Sequence, residues 1–486
     1  LENITRGQDF MRAAERVGKL KPVVVLKSGR TAAGAKAASS HTGSLAGADA
    51  AYDCAFARSG VIRVSSIEHL FDVSSALASQ PLPSNNRIGV VTNAGGPGIM
   101  MSDALEMLGL RMATLDQGTI DALKQALPPA ASWRNPVDVL GDAGPELYGK
   151  AIDIVLASDE VDGLIVILTP QQVTDSVGTA RVLVEAAGKH GKPVFSCFMG
   201  GEAIAEGIEL LRANGIPQYP VPERAAEAML EMVRYARYKA RPLRRVERFA
   251  VNKNPTIKMF KAYRSRGMHE IGEVDSKTIM EAYNFDLPEG NLASNVDEAV
   301  NFGNQLGYPL AMKISSPDIL HKSDVGGVRV GLDGPGEVAD AYELMMLRVG
   351  RKRPDAEVRG VLLEKMVAGG QEVILGVKRD PQFGPMIMFG LGGIFVEVLK
   401  DVTFGLAPLT EDEIRSMIEG TRSYGLLRGA RGKAPRDVEA IIENIQRLSQ
   451  LVVDFPEIEE VDINPLMVGF EGDGALVVDA RIVIGK

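Results

Sequence analysis

Residues 87–110, "RIGVVTNAGGPGIMMSDALEMLGL", set an apolar β-branched run, a glycine-rich turn and a helical stretch in immediate succession. A short apolar run bounded by turn residues reads as a buried strand. The same order of strand, turn and helix recurs along the first half of the chain, and such alternation predicts a parallel sheet with helices on its faces. The turn itself, "NAGGPG" (93–98), holds Gly95, Gly96 and Gly98 between strand and helix. Backbone N–H groups and the positive end of the helix can there face an anion, which makes a phosphate cradle. The spacing matches neither G-x-G-x-x-G nor the P-loop, so an ordinary tight turn accounts for it equally well.

Upstream, "KPVVVLK" (21–27) is a strand, followed by a Gly/Ala/Ser-rich loop that contains His41 and by the helical stretch "GADAAYDCAFARSG" (47–60). "VIRV" (61–64) and "SIEHLFDVSSALASQ" (66–80) repeat the pattern, so residues 1–80 read as the back end of one doubly wound domain. "PLPSNN" (81–86) is a linker by composition. A second doubly wound domain spans 86–238, through "VDGLIVILTP" (161–170) and "KPVFSCFMGG" (192–201). Residues 239–273 begin with a basic, aperiodic stretch and are expected to be a surface linker. Residues 274–486 turn to α+β, with long alternating strands such as "QEVILGVKRD" (371–380) that read as antiparallel. "NPVD" (135–138) reads as a turn capping the next segment, without chemistry of its own.

Length and composition narrow the class. A chain of 486 residues exceeds one ordinary core, so two to four domains are expected. The net charge of −9 is spread without a basic block, which argues against nucleic acid or an anionic membrane as partner. Cys54 and Cys197 show no metal or CxxC spacing and read as buried thiols of a reducing compartment. With no apolar stretch of about 20 residues and no signal peptide, a cytoplasmic enzyme is the expectation.

His41, in "SSHTGSLAG" (39–47), lies on a loop after the carboxyl end of a parallel strand, where open α/β sheets bind ligands. Imidazole there can act as base, metal ligand or nucleophile, and a surface-loop histidine is the plain alternative. Lys313 in "AMKISS" sits at a strand end from which an ammonium can reach phosphates. Glu364 in "LLEKMV" and Glu372 in "GQEVIL" are carboxylates embedded in apolar strands, where an unpaired charge is costly, so each needs a basic residue, an adenosine or a cation. "VDINP" (461–465) and "VVDAR" (477–481) are strand-end segments able to face each other. Asn464 and Asp479 offer the hard oxygens that suit Mg²⁺. His321 in "SPDILHKSDVGGV" (316–328) is a second histidine before a small glycine-containing turn.

Taken together these segments resemble the NDP-forming acyl-CoA synthetases, relatives of succinyl-CoA synthetase, and specifically the ADP-forming acetate–CoA ligase type. "SSHTGSLAG" is similar to that family's phosphohistidine loop and "SPDILHKSDVGGV" to its second, transiently phosphorylated histidine segment; "GGIFVEVLKDV" (392–402) and "VDINPL" (461–466) match further segments. The resemblance implies flavodoxin-like doubly wound domains followed by an ATP-grasp domain. It makes His41 the phosphorylated nucleophile, Glu2 the carboxylate that orients it, and His321 the relay. It gives Lys313, Glu364 and Glu372 to ATP, and Asn464 and Asp479 to Mg²⁺. "NAGGPG" becomes one of two helix N-termini that clamp the phosphohistidine. The family's N-terminal CoA-binding domain has no counterpart here, so the gene product is expected to start upstream.

The implied reaction interconverts acyl-CoA, ADP and phosphate with carboxylic acid, CoA and ATP, with a homo-oligomer as the implied assembly. Two other readings compete. One is a non-catalytic acyl-CoA or nucleotide sensor of the same architecture, which has little need of a second histidine. The other is an ATP-grasp carboxylate–amine ligase, which leaves His41 unexplained.

Overall fold

The structure is a computed structural model that describes residues 1–30, 49–319, 322–367, 369–392, 401–429, 432 and 434–485. Leu1–Ala46 with Ala55–Pro242 form one compact unit, and Gly47–Cys54 with Leu243–Lys486 form the other.

In the first unit, β1 (Val23–Leu26) and β2 (Val61–Val64) pair in parallel. A separate parallel sheet contains β3 (Arg87–Thr92), β4 (Arg111–Met112), β5 (Val137–Asp138), β6 (Gly163–Leu168) and β7 (Val194–Phe198), in the order β4-β3-β6-β7 with β5 on β3. Every residue of β6 and β7 is buried, as strands covered on both faces require. Met101 and Leu105 of helix Gly95–Met107 pack with Met229 and Met232 of helix Pro222–Ala240 in one core. Tyr148 and Ile152 of helix Pro145–Ala157 pack with Leu183 of helix Ser176–His190 in another. The strand, turn and helix order of 87–110 thus builds the doubly wound sheet it predicted.

The second unit contains two antiparallel sheets. β9 (Gly290–Ala293), β10 (Leu310–Ser315), β11 (Val328–Leu332) and β12 (Gly360–Lys365) run in the order β11-β10-β12-β9. Leu310, Met312 and Ile314 alternate into a core with Val338, Tyr342 and Met345 of helix Pro335–Lys352. The pleat therefore turns Ala311 and Lys313 to the opposite face. The larger sheet has the order β15-β14-β13-β16-β18-β8, with β17 on β16. Its strands are β8 (Glu270–Ile271), β13 (Gln371–Asp380), β14 (Gly384–Leu391), β15 (Val402–Leu406), β16 (Ile458–Val468), β17 (Ala475–Val477) and β18 (Ala480–Ile484). Helix Val438–Asp454 packs Ile441, Ile445 and Leu448 into its core.

Residues 239–273 are not a linker throughout. Helix Asn254–Ser265 buries Phe260 and Tyr263 in the core of the larger sheet, and β8 pairs with β18. Two aromatic side chains four residues or fewer apart on one helical face supply the apolar anchor that the basic composition of 239–255 obscures. Among the described residues no helix is long and apolar enough to cross a membrane.

Candidate active site

The second unit holds a buried cluster of charges that four elements bring together. β8 pairs with β18 and delivers Gly272, from which helix Glu273–Ala282 starts, so Glu273 stands in its first turn beside the positive end of the helix. Lys277 follows one turn later on the same face. Lys313 comes from β10 and Glu364 from β12, where the antiparallel register Ala311↔Glu364 and Lys313↔Leu362 makes the two side chains diagonal neighbours on one face. All four residues are buried.

Lys313 Nζ lies 2.7 Å from Glu273 Oε1 and 2.9 Å from Glu364 Oε2, and donates to the carbonyl of Val478 at 2.8 Å. Lys277 Nζ lies 2.9 Å from Glu273 Oε1 and pairs with Glu364. Lys322 Nζ lies 2.6 Å from Glu273 Oε2 and 3.9 Å from Asp479 Oδ2. Three ammoniums therefore face three carboxylates, two of them buried and Asp479 half-buried. Burial alone would raise the Glu273 carboxyl, but Lys313, Lys277 and Lys322 overturn that and hold it at about 2. Burial works against the charge on Lys313, yet Glu273, Glu364 and Asp479 keep it well above the usual lysine range. Burial and the charge of Glu273 push the Asp479 carboxyl up against the pull of the lysines.

A small cleft borders this cluster, lined among others by Glu273, Asp275, Ser315, Ser316, Lys322 and Arg359. Arg359 Nη1 lies 3.2 Å from Asp275 Oδ2, which also accepts from the Tyr263 hydroxyl at 2.5 Å. Glu364 thus has the basic partners that its place in an apolar strand demanded. Glu372 lacks that burial: it is exposed near the start of β13, although Ile374 on the same face of the strand is buried, so its place in the strand demands no partner. The segments "VDINP" and "VVDAR" do meet. Asn464 N–H donates to the Asp479 carbonyl at 3.2 Å, and Val478 N–H to the Pro465 carbonyl at 3.1 Å.

In the first unit, helix Gly95–Met107 begins after Ala94 without a side-chain cap, whereas Asp116 and Asp175 cap the helices that follow them. Gly95 and Gly96 are exposed, and a Cβ on Gly96 would meet nothing within 4 Å. Gly98 leaves the cradle: it is buried, its N–H is spent on the Ala94 carbonyl at 3.2 Å, and a Cβ would lie 3.1 Å from Thr92 Cγ2. The third glycine is there for close packing, and Pro97 has no N–H to offer. Asn93 crosses the carboxyl ends of β3 and β6, donating to the Thr169 carbonyl at 2.8 Å and accepting from its N–H at 2.9 Å.

"NPVD" does more than turn the chain. Asn135 donates to the carbonyls of Ile88 and Ala113 at 2.8 and 3.0 Å and accepts from Val90 N–H at 2.8 Å, so one side chain ties β3 to the segment after β4. Cys197 is buried, its thiol pushed up to about 12 by burial, but Cys54, on helix Asp49–Ser59, is only half-buried. Glu2 is exposed beside Leu1, whose carbonyl accepts from Ser28 N–H at 3.0 Å just past β1. His41, with all of "SSHTGSLAG", and His321 lie outside the described residues, as do 393–400 of "GGIFVEVLKDV".

Sequence reasoning missed Glu273, Lys277 and Lys322. A signal for the first two exists: Glu273, Ser276, Lys277, Met280 occupy the i, i+3, i+4, i+7 stripe that a helix buries, and charges there ask for partners. Among the described residues no group of three or more His, Cys, Asp or Glu could hold a metal ion. An amide and a carboxylate at Asn464 and Asp479 still fit Mg²⁺, which takes few protein ligands and fills its shell with phosphates and water.

Three domain families match the chain: a succinyl-CoA ligase like flavodoxin domain over residues 1–77, a ligase-CoA domain over 88–243, and an ATP-grasp domain over 262–484. An ADP-forming acetate–CoA ligase I of Archaeoglobus fulgidus is 42% identical over 100% of this chain and 69% of its own length. An ADP-forming 4-hydroxybutyrate–CoA ligase of Nitrosopumilus maritimus is 41% identical over 99% and 69%. A solved dinucleotide-forming acetyl-coenzyme A synthetase 1 of Ca. Korarchaeum cryptofilum, in complex with coenzyme A and Ca-AMPCP, is 41% identical over 47% of this chain and 100% of its own, with a TM-score of 0.46.

Proposed function

The chain belongs to the family of ADP-forming acid–CoA ligases, and we propose that it works by a phosphohistidine relay in which the buried lysine cluster receives the nucleotide. The sensor reading finds no support, since the relatives are ligases by name. The observation that carries the proposal is the meeting of Lys313, Lys322 and Glu364 with the Asn464–Asp479 strand ends in one place.

In this reading phosphate displaces CoA from acyl-CoA to give an acyl phosphate, His41 takes the phosphoryl group, and His321 passes it to ADP. Phosphoryl transfer asks mostly for positioning and charge neutralisation. Lys313 and Lys322 hold the nucleotide's phosphates as point charges. Glu364 keeps Lys313 charged and faces the adenosine. Gly95 and Gly96, with their uncapped N–H groups, face the phosphate on His41, while Glu2 fixes the tautomer of that imidazole. The Asn464 amide oxygen and the Asp479 carboxylate would hold Mg²⁺, which neutralises phosphate charge when bound. Nucleotide and CoA as substrates go with a cytoplasmic location, and a homo-oligomer rests on the family alone.

Incubation with γ-labelled ATP and Mg²⁺ tests the relay. Acid-labile, base-stable label is expected on the chain and lost in His321→Ala. Label that persists in both His41→Ala and His321→Ala overturns it.

A further inference from the structure

We propose that Glu273 is a positioning residue of the nucleotide site, a resident carboxylate that holds Lys313 and Lys322 where phosphate oxygens will take its place, and that Lys322 is a second phosphate ligand. The inference rests on the reading of this cluster as the nucleotide site.

The two oxygens of Glu273 divide the work. Oε1 faces Lys277 and Lys313 at 2.9 and 2.7 Å, and Oε2 faces Lys322 at 2.6 Å. Glu364 also pairs with Lys277 and Lys313, so those two ammoniums keep a carboxylate if Glu273 is lost. Lys322 does not, since its other carboxylate, Asp479, stands at 3.9 Å. The backbone at Lys322 is already fixed: its carbonyl accepts from Gly327 N–H at 2.7 Å, and the Gly327 carbonyl accepts from Ile314 N–H of β10 at 2.8 Å. A Cβ on Gly327 would lie 2.5 Å from Ile314 Cγ2, which is why this turn packs so close to the strand. What remains adjustable at Lys322 is the side chain, and among the described residues Glu273 alone holds it at hydrogen-bond distance.

The cluster also borders open space. Glu273 and Lys322 both line the cleft, whereas a purely structural ion pair gains nothing from such a place. Buried ion pairs are poor stabilisers compared with apolar packing, and the other large side chains that this helix buries, Ile279 and Met280, are apolar. A group of phosphate oxygens entering from the cleft can take over the ammoniums of Lys313 and Lys322, while Lys277, 2.9 Å from Glu273 Oε1, stays as the partner of the displaced carboxylate.

The test compares ADP and adenosine binding to the full chain by calorimetry for wild type, Glu273→Gln, Lys322→Met, the double variant and Glu273→Asp. Loss of one charge-assisted contact is expected to weaken ADP about tenfold in each single variant. Adenosine, which has no phosphate, should change less than twofold. The double variant should bind ADP no worse than the weaker single, because both substitutions remove the same contact, and Glu273→Asp should recover part of the loss. ADP affinity unchanged in Glu273→Gln overturns the inference, as do equal losses for ADP and adenosine or losses that add in the double variant. If Glu273→Gln fails to fold, the cycle between Glu273→Asp and Lys322→Met decides the same question. A wild-type chain that binds no ADP rejects the nucleotide-site reading itself.

Discussion

The N–H of Asn464 and the carbonyl of Asp479 share a hydrogen bond of 3.2 Å, which brings an amide and a carboxylate together from segments 15 residues apart. The antiparallel register Ile463↔Ala480 of β16 and β18 imposes the meeting. Asp479→Asn is expected to raise the Mg²⁺ concentration that supports ADP binding by at least about tenfold, since even indirect supports of a metal site cost that much. Thermal stability should hold or rise slightly, because burial and Glu273 already disfavour the charged form of Asp479. A Mg²⁺ titration followed by calorimetry, with a melting curve alongside, checks both.

Lys313 stands between two buried carboxylates, so removing its charge leaves both short of a partner. Breaking one member out of a buried ion pair costs on the order of 3 kcal/mol. Lys313→Met should therefore lower the urea midpoint of the unit that contains it with little change in slope. A midpoint equal to wild type would show that Lys277 alone balances Glu273 and Glu364.

Glu273 also governs how the fold meets acid. Its carboxyl is held at about 2 in the fold against an ordinary 4.5, so the unfolded chain takes up the proton first as pH falls. The stability it contributes is complete above pH 4.5 and is lost progressively as pH drops toward 2, amounting to on the order of 3 kcal/mol by linkage. Glu273→Gln should flatten the dependence of unfolding free energy on pH across that window and leave it unchanged near neutrality. Denaturant titrations at several acid pH values measure the slope.

How legible the site was follows from what each residue does. Periodicity found the sheet of 87–198 because its strands are continuous apolar runs; it singled out Glu364 because a charge in such a run must be answered, and Lys313 because it ends a strand from which an ammonium can reach phosphates. It misjudged 254–273, where Phe260 and Tyr263 anchor a helix in a polar-looking stretch, and it took Glu372 as embedded, although the strand buries its side chains only from Val373 onward. Glu273 and Lys322 stayed hidden for another reason. Apart from Lys277, the partners of Glu273 are 40 or more residues away, and only the pairing of β8 with β18 and of the 322–327 turn with β10 brings Glu273 and Lys322 to Lys313.

The glycines of "NAGGPG" separate function from folding. Gly96 stands in open space at the start of a helix, so Gly96→Asp adds a helix-favouring side chain and a negative charge beside the positive helix end. Stability should rise by about 0.5–1 kcal/mol, yet that carboxylate occupies the place proposed for a phosphate, so label from γ-labelled ATP on His41 should fall sharply. Gly98→Ala should do the reverse. Its methyl group would press on Thr92 Cγ2 at 3.1 Å and cost about 1 kcal/mol, while the N–H groups of Gly95 and Gly96 stay where they are. Melting curves and labelling on the two variants check the contrast, and a Gly96→Asp chain that labels His41 like wild type removes these N–H groups from the phosphate site.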